Sequence, residues 1–494
     1  MSDVLSLNLR PRGSTALVPA PAGVSQAAQD SGETGKLAFV RDPFRLMLFS
    51  LTLLNVSRLH QAIPQLGMLR PALLLVGAAG VYAFLYPRAL SRGNVLRVWV
   101  MRRVSILAVM ACLSAPFGLS LGGSASYIIN FYAKTLFTCL LLALAIRNAR
   151  DLYTMLWSYV ISCGILSYFA LFVFQLSAAA SVAKNARLSE LYMYDANDVC
   201  VVMLIGLAFT LLLLQVTRGI KRVGLIVVAM AIGASLARSG SRGGFLGLIA
   251  FGAAALLLMN TASVARRVSL LLVVLAGMAA FAPTGYWEQM QTITSPKDDY
   301  NMIDPNGRKA LMMRGLGYMK AYPFFGVGID NFGRAECEIS GIKVGGGGTR
   351  CGAPHNSYVE SASELGVVGG LIWATTVFGG IFAMWRLRRR LPRSWRRGND
   401  VERLLYNSTS YFAIALTSFA VSCFFVSFAW LDIFYIVLAM MTGLYVSVGV
   451  YQRSRTTAPT PSSLPAITRS TPGWRVLASD RRFGLGKASM QSAQ

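Results

Sequence analysis

Charge is scarce in this chain, and acid is scarcer still. Charged residues make up 14% of 494 positions, and 21 Asp and Glu stand against 47 Lys and Arg, a formal net charge of +26. There are two histidines and seven cysteines, and no cysteine has the Cys/His neighbours that a zinc site requires. A Ser-His-Asp motif and a nucleotide-binding fold are both missing. The first 40 or so residues lack the continuous apolar core of a cleavable signal, and the run PAPAGVSQAAQDSGETG reads as a disordered tail. No internal repeat is visible.

What the chain has in excess is apolar surface: 54% hydrophobic residues and a mean hydropathy of +0.52. Twelve spans of about 20 residues would use roughly half of it. No soluble domain needs that much, which excludes a conventional cytosolic enzyme. The 46 glycines and the 11% aromatic share suit close-packed membrane helices. The expected fold class is all-α, a polytopic membrane protein with about 12 transmembrane helices and one large periplasmic loop containing amphipathic helices.

The apolar stretches fall at 44–60, 69–87, 104–121, 127–146, 152–176, 197–217, 221–236, 244–259, 268–283, 361–385, 405–428 and 431–450. This predicts a disordered cytoplasmic tail over 1–43, a transmembrane domain over 44–450, and a second disordered cytoplasmic tail over 451–494. Arg45 and Arg58, at the ends of the first stretch, are expected to snorkel toward the headgroups. With the N-terminus inside, the short inner loops carry 20 Lys and Arg and the outer ones 4, a positive-inside bias. The surplus charge therefore lies along anionic lipid, and nucleic acid is not an expected partner. Twelve of the 21 acids fall on outer segments, as does the one long soluble piece, 284–360, so function is sought there.

Five cysteines lie in apolar stretches, where a thiol behaves as a small hydrophobe. Cys337 and Cys351 share the outer loop across the flexible run SGIKVGGGGTR, and a disulfide between them is expected. Closing a loop of that size stabilises by about 3 kcal/mol in the chain-entropy model. The first outer loop holds no acid, so the acidic metal-binding motif of many lipid-linked-sugar transferases is absent. Neither a metal nor another cofactor is expected, and a soluble nucleotide sugar is disfavoured as donor.

His60 closes the first span and reads as structural. His355 stands in CGAPHNSYVESASELGVVGG, where the outer loop turns into the tenth span. Pro354 suits the first helical position. That puts His355 in the first turn, where the helix dipole favours a neutral imidazole able to take a proton. Asn356, Glu360 and Glu364 follow at i, i+4, i+8 and share a face.

In ARSGSRGGFLGL, Arg238 and Arg242 flank small residues, a setting in which guanidinium groups can grip phosphate. In DPNGRKALMMRGLGYMKAYPFFGVGIDNFG, Asp304 is a candidate N-cap and Pro323 a stop. Between them Arg308, Met312, Gly315, Met319 and Tyr322 form one stripe of an amphipathic helix on or near the membrane. Arg187 adds positive charge in the loop before the sixth span, which Asn197 and Asp198 are expected to cap.

Taken in order, SRGGFLGL, then NGR followed by PFFGVGIDNFG, then PHNSYVESASELGVVGG, the chain resembles the bacterial O-antigen ligase and polysaccharide polymerase superfamily over roughly residues 235–385. The resemblance implies a periplasm-facing, metal-independent, inverting glycosyltransferase of the bacterial inner membrane, with both termini cytoplasmic. Its donor would be a glycan on undecaprenyl diphosphate. The acceptor would be lipid A-core for a ligase or another lipid-linked repeat unit for an exopolysaccharide or O-antigen polymerase, the polymerase being preferred. Carried over by motif, His355, Arg242 and Arg308 are catalytic. Arg238 and Arg187 are secondary substrate-binding candidates, with Asn356 and Tyr358 beside the histidine. A flippase and a chain-length regulator of the same pathway are candidate partners. The Gly345–Gly348 insert departs from the family pattern. Two other classes compete: a transporter or flippase of a polyprenyl-linked glycan, and a structural or signalling scaffold.

Overall fold

A computed structural model describes residues 37–91, 95–178, 186–189, 194–259, 263–282, 285–294, 304, 307–339 and 352–456. The fold is all-α, and a helix stands at each of the twelve apolar stretches. In chain order these are α1 (Pro43–Ser57), α2 (Pro71–Leu85), α3 (Trp99–Phe117), α4 (Leu121–Ala145), α5 (Ala149–Val173), α6 (Ala196–Leu214), α7 (Ile220–Arg238), α8 (Arg242–Leu258) and α9 (Val264–Phe281). The segment 284–360 contributes three more, α10 (Tyr286–Gln291), α11 (Arg308–Ala321) and α12 (Phe332–Glu338), and α13 (Ser357–Arg390), α14 (Asp400–Ser422) and α15 (Asp432–Thr456) complete the bundle. Seven of these helices are long and apolar enough to cross a membrane: α3–α7, α13 and α15. The one described sheet is a hairpin, Gln175–Ala178 paired antiparallel with Ala186–Ser189.

At the centre stands α6, buried along almost its whole length against α5, α7, α8 and α14. Its uninterrupted apolar sequence fits a helix surrounded by protein on every side. Small residues set the spacing between neighbours. A Cβ on Gly244 would come within 2.4 Å of Cys200 Sγ in α6, and one on Gly247 within 2.3 Å of Ser422 Oγ in α14. Such contacts let α8 approach both helices closely, which is how membrane helices gain packing energy without a hydrophobic drive.

The arginines of α1 do not snorkel. Arg45 is 1% exposed and donates to the carbonyls of Ala89 and Ala145, with Asp42 and Asp151 as its ionic partners. Arg58 is buried against Asp432 at 3.0 Å and lies over the Tyr194 ring. Desolvating a guanidinium is tolerable only with such partners, and apart from Asp42 these come from distant elements of the chain.

The tenth stretch departs most from expectation. Rather than one span over 361–385, α13 is two helices, 357–365 and 367–390, broken at Gly366 (φ 73°, ψ −179°). The Tyr358 ring lies 5.3 Å from that of Trp373 and 6.0 Å from that of Phe378. In a straight helix these residues would be about 22 and 30 Å apart. The short arm therefore folds back along the long one. Reversal leaves the last carbonyls of the short arm without helical partners, and the loop segment 323–331 supplies them. Val327 N donates to Ser363 O and Gly328 N to Glu364 O, while Val367 N bonds Pro323 O. The same segment clips α3 and α4, through Leu119 N on Val327 O and Asn331 Nδ2 on Ser124 Oγ. GVGIDNFG is thus a structural clip.

Candidate active site

Arg242 opens α8. Its neighbour Ser241 is the N-cap, accepting from Gly244 N and donating 2.6 Å to Asn197 Oδ1 at the head of α6. The Arg242 guanidinium reaches Thr292 Oγ1 at 2.8 Å, just beyond α10. The head of α6 is capped by Asp195 in a capping box closed by Asp198, so Asp198 caps as expected, while Asn197 instead ties α6 to the SRGG turn. Arg238 ends α7 and is half-buried, with its Nε lacking a hydrogen bond. Arg187 lies in the second strand of the hairpin, where its backbone pairs with Ser177; its side chain is outside the description.

Arg308 is the first residue of α11, whose N-cap is Gly307 rather than the expected Asp304. The buried face of the helix differs from the expected stripe, sharing only Gly315 with it. That face is Leu311, Gly315 and Tyr318, and it packs on protein. A Cβ on Gly315 would meet Val359 at 2.3 Å, and one on Gly352 would meet Leu311 at 2.7 Å. On its other flank Arg314 forks onto the buried Glu336 carboxylate, which also accepts from Tyr318 Oη at 2.7 Å. That bond and charge hold the Arg314 guanidinium above its ordinary pKa. Next to it, Cys337 is disulfide-bonded, whereas the five cysteines of the spans are free; Cys351 lies outside the described residues.

His355 is not in the first helical turn, and Pro354 is not its first residue. The helix starts at Ser357 with Asn356 as N-cap, accepting from Tyr358 N and Val359 N. His355 precedes it in a left-handed conformation, φ 44°, which costs a non-glycine residue free energy and persists where neighbours enforce it. Those neighbours are on both sides. Asn356 Nδ2 contacts Met312 Sδ of α11 at 3.3 Å, and Ser357 N donates to Cys423 O. The turn lies at the foot of the short arm, about 13 Å along the bundle from Gly366.

Opposite it runs 423–431, a non-helical connection several of whose polar groups are met by the short arm, while the buried Ser427 hydroxyl makes no hydrogen bond among the described residues. Phe428 N donates to Ser357 Oγ, Ala429 N to Glu360 Oε2, and Trp430 Nε1 to Glu364 Oε2. Glu364 takes two more bonds, from Asp330 N and Phe332 N. The face shared by Glu360 and Glu364 is thus real, and its partner is this connection. Irregular backbone among membrane helices is tolerated where protein or a wet cavity satisfies it. Tyr358 Oη is committed to Ala420 O at 2.9 Å.

The same connection meets the neighbours of Arg242 and His355, and the helix of Arg308 touches the His355 turn. A Cβ on Gly243 would stand 2.7 Å from Phe425 Cβ, Ser357 bonds Cys423 and Val426, and Met312, one turn beyond Arg308, touches Asn356. Sequence reasoning missed the Gly366 reversal, the Glu364 triple bond and the left-handed Asp330 (φ 60°). Partial desolvation pushes the Asp330 carboxyl up to about 6. Among the described residues no group of three or more His, Cys, Asp or Glu is placed to hold a metal ion.

No curated protein matches the chain. The family model described as O-antigen ligase matches residues 225–374, and over that stretch, which takes in Arg238, Arg242, Arg308, His355 and the Gly366 break, the chain is similar to that family.

Proposed function

We propose that this chain is a metal-independent, inverting glycosyltransferase that moves a glycan from undecaprenyl diphosphate to an acceptor sugar hydroxyl at the outer face of the bacterial inner membrane, as a polysaccharide polymerase in preference to a ligase. The observation that carries the reading is that residues beside Arg242 and His355, both in the family-matched stretch, meet at 423–426, while Met312 of the Arg308 helix touches Asn356. Arg242 and Arg308, with Arg238 and Arg187 as outer contributors, bind and neutralise the diphosphate as it leaves. A charge-assisted hydrogen bond is worth roughly 1.5–3 kcal/mol. His355 takes the proton of the acceptor hydroxyl as that oxygen attacks the anomeric carbon on the face opposite the departing diphosphate. The diphosphate leaves already charged, so no strong general acid is needed.

The broken helix α13 favours a second reading, because transporter sites use discontinuous helices. One assay separates the two. Purified protein is reconstituted in vesicles with a lipid-linked oligosaccharide, and new glycosidic bonds and transbilayer movement are both scored. The transferase reading expects product in the presence of a chelator, lost in His355→Ala and Arg242→Ala. Lipid movement without product would support the transporter.

A further inference from the structure

We propose, resting on the glycosyltransferase reading, that Thr292 is a positioning residue for the donor: a neutral tether that holds the tip of Arg242 where the diphosphate binds. The root of Arg242 is fixed by its own turn. Ser241 caps α8 by accepting from Gly244 N and donates to Asn197 Oδ1, and a Cβ on Gly243 would crowd Phe425. That turn settles only where the side chain begins. Arginine has much rotamer freedom, and a guanidinium that must be ordered on binding weakens the complex.

The tip is fixed from another element. Arg242 Nη1 donates to Thr292 Oγ1 at 2.8 Å, 50 residues along the chain. The Thr292 hydroxyl has a single proton and donates it to Gln289 O at 2.7 Å. Its lone pairs are thereby turned toward the arginine, where the hydroxyl can only accept. The backbone around it is anchored independently. Tyr286 and Met290 of α10 are buried in the larger hydrophobic core, and Ile293 packs against that core. Thr292 therefore takes its position from the core, not from the arginine it holds.

A hydroxyl does this without adding charge. The arginines that hold the fold together are met by carboxylates: Arg45 by Asp42 and Asp151, Arg58 by Asp432, and Arg314 by Glu336. Each of those acids offsets the guanidinium charge. Thr292 gives Arg242 a direction and contributes no negative charge of its own, which suits an arginine whose charge acts on a diphosphate.

The test measures binding of two lipids to the full-length protein in detergent: undecaprenyl diphosphate and the uncharged undecaprenol. Wild type is expected to prefer the diphosphate. Thr292→Val, which keeps the shape and deletes the acceptor, is expected to weaken diphosphate binding about three- to tenfold. Its undecaprenol binding and unfolding temperature are expected to stay unchanged. Thr292→Ser, which restores the hydroxyl, is expected to recover most of the loss. In an Arg242→Ala background Thr292→Val is expected to add nothing, because the tether then holds nothing. Should Thr292→Val fail to fold, Thr292→Asp serves instead. Its carboxylate competes for the guanidinium and is expected to weaken diphosphate binding about tenfold or more. Diphosphate binding unchanged in the variant, an equal loss for undecaprenol, no recovery in Thr292→Ser, or the same loss on top of Arg242→Ala overturns the proposal and leaves the donor reading standing. A wild type that binds the two lipids alike overturns that reading, and this proposal with it.

Discussion

Tyr358 and Phe378 are twenty residues apart in the chain, and their rings stack at 6.0 Å with planes 17° apart. Only a reversal of α13 allows this, and Gly366 provides it. A Cβ at Gly366 would stand 2.6 Å from the carbonyl of Phe324, at a φ that side-chain-bearing residues rarely adopt. Gly366→Ala is therefore expected to destabilise the protein by about 1–3 kcal/mol, seen as a lower unfolding temperature in detergent. Wild-type stability in this variant would show that the two arms do not need the break.

Glu364 joins three segments through one carboxylate, accepting from Asp330 N, Phe332 N and Trp430 Nε1. Glu364→Ala strands all three donors and is expected to cost about 2–4 kcal/mol. Glu364→Gln, which keeps an acceptor oxygen, is expected to recover part of that loss. Equal stability for the two variants would mean that the bonds contribute nothing.

The two arginines of α1 show where sequence reading ran out. Arg45 and Arg58 looked like snorkelling residues because their acids, Asp151 and Asp432, are remote in the chain. The reversal at Gly366 was hidden for the same reason. GVVGG reads as ordinary apolar helix, and the groups that satisfy a break, Val327 N and Gly328 N, come from another segment. By contrast α6 was legible throughout, since an unbroken apolar run has few alternatives among membrane helices. At the site, motifs singled out Arg242, Arg308 and His355, but the left-handed turn at His355 depends on contacts with Met312 and Cys423 that spacing does not encode. Residue types were readable; the geometry that joins them was not.

Asp330 gives a pH dependence with a definite sign. Its carboxyl is pushed from an ordinary 3.8 up to about 6 by partial desolvation. Between these values the folded protein keeps a proton that the unfolded chain releases, so stability falls as pH rises through the window. Asp330→Asn removes that loss and suits the left-handed backbone. The variant is expected to gain on wild type progressively from about pH 4 to pH 6, measured by thermal unfolding. A stability difference independent of pH would contradict the assignment.

Cys337 is disulfide-bonded, and the proposed partner is Cys351, four residues before His355. A peptide map without reductant is expected to show the two cysteines linked. Cys351→Ser is expected to lower stability by about 3 kcal/mol. A map showing free Cys351 would contradict the pairing.

The most direct test of the account is a single-turnover comparison of donor binding and glycan transfer in vesicles, for wild type, His355→Ala and Arg242→Ala. The account predicts that His355→Ala binds the lipid-linked donor as wild type does but transfers about 10²–10⁴-fold more slowly, whereas Arg242→Ala binds it about tenfold or more weakly. Transfer at the wild-type rate by His355→Ala, or undiminished donor binding by Arg242→Ala, would contradict it.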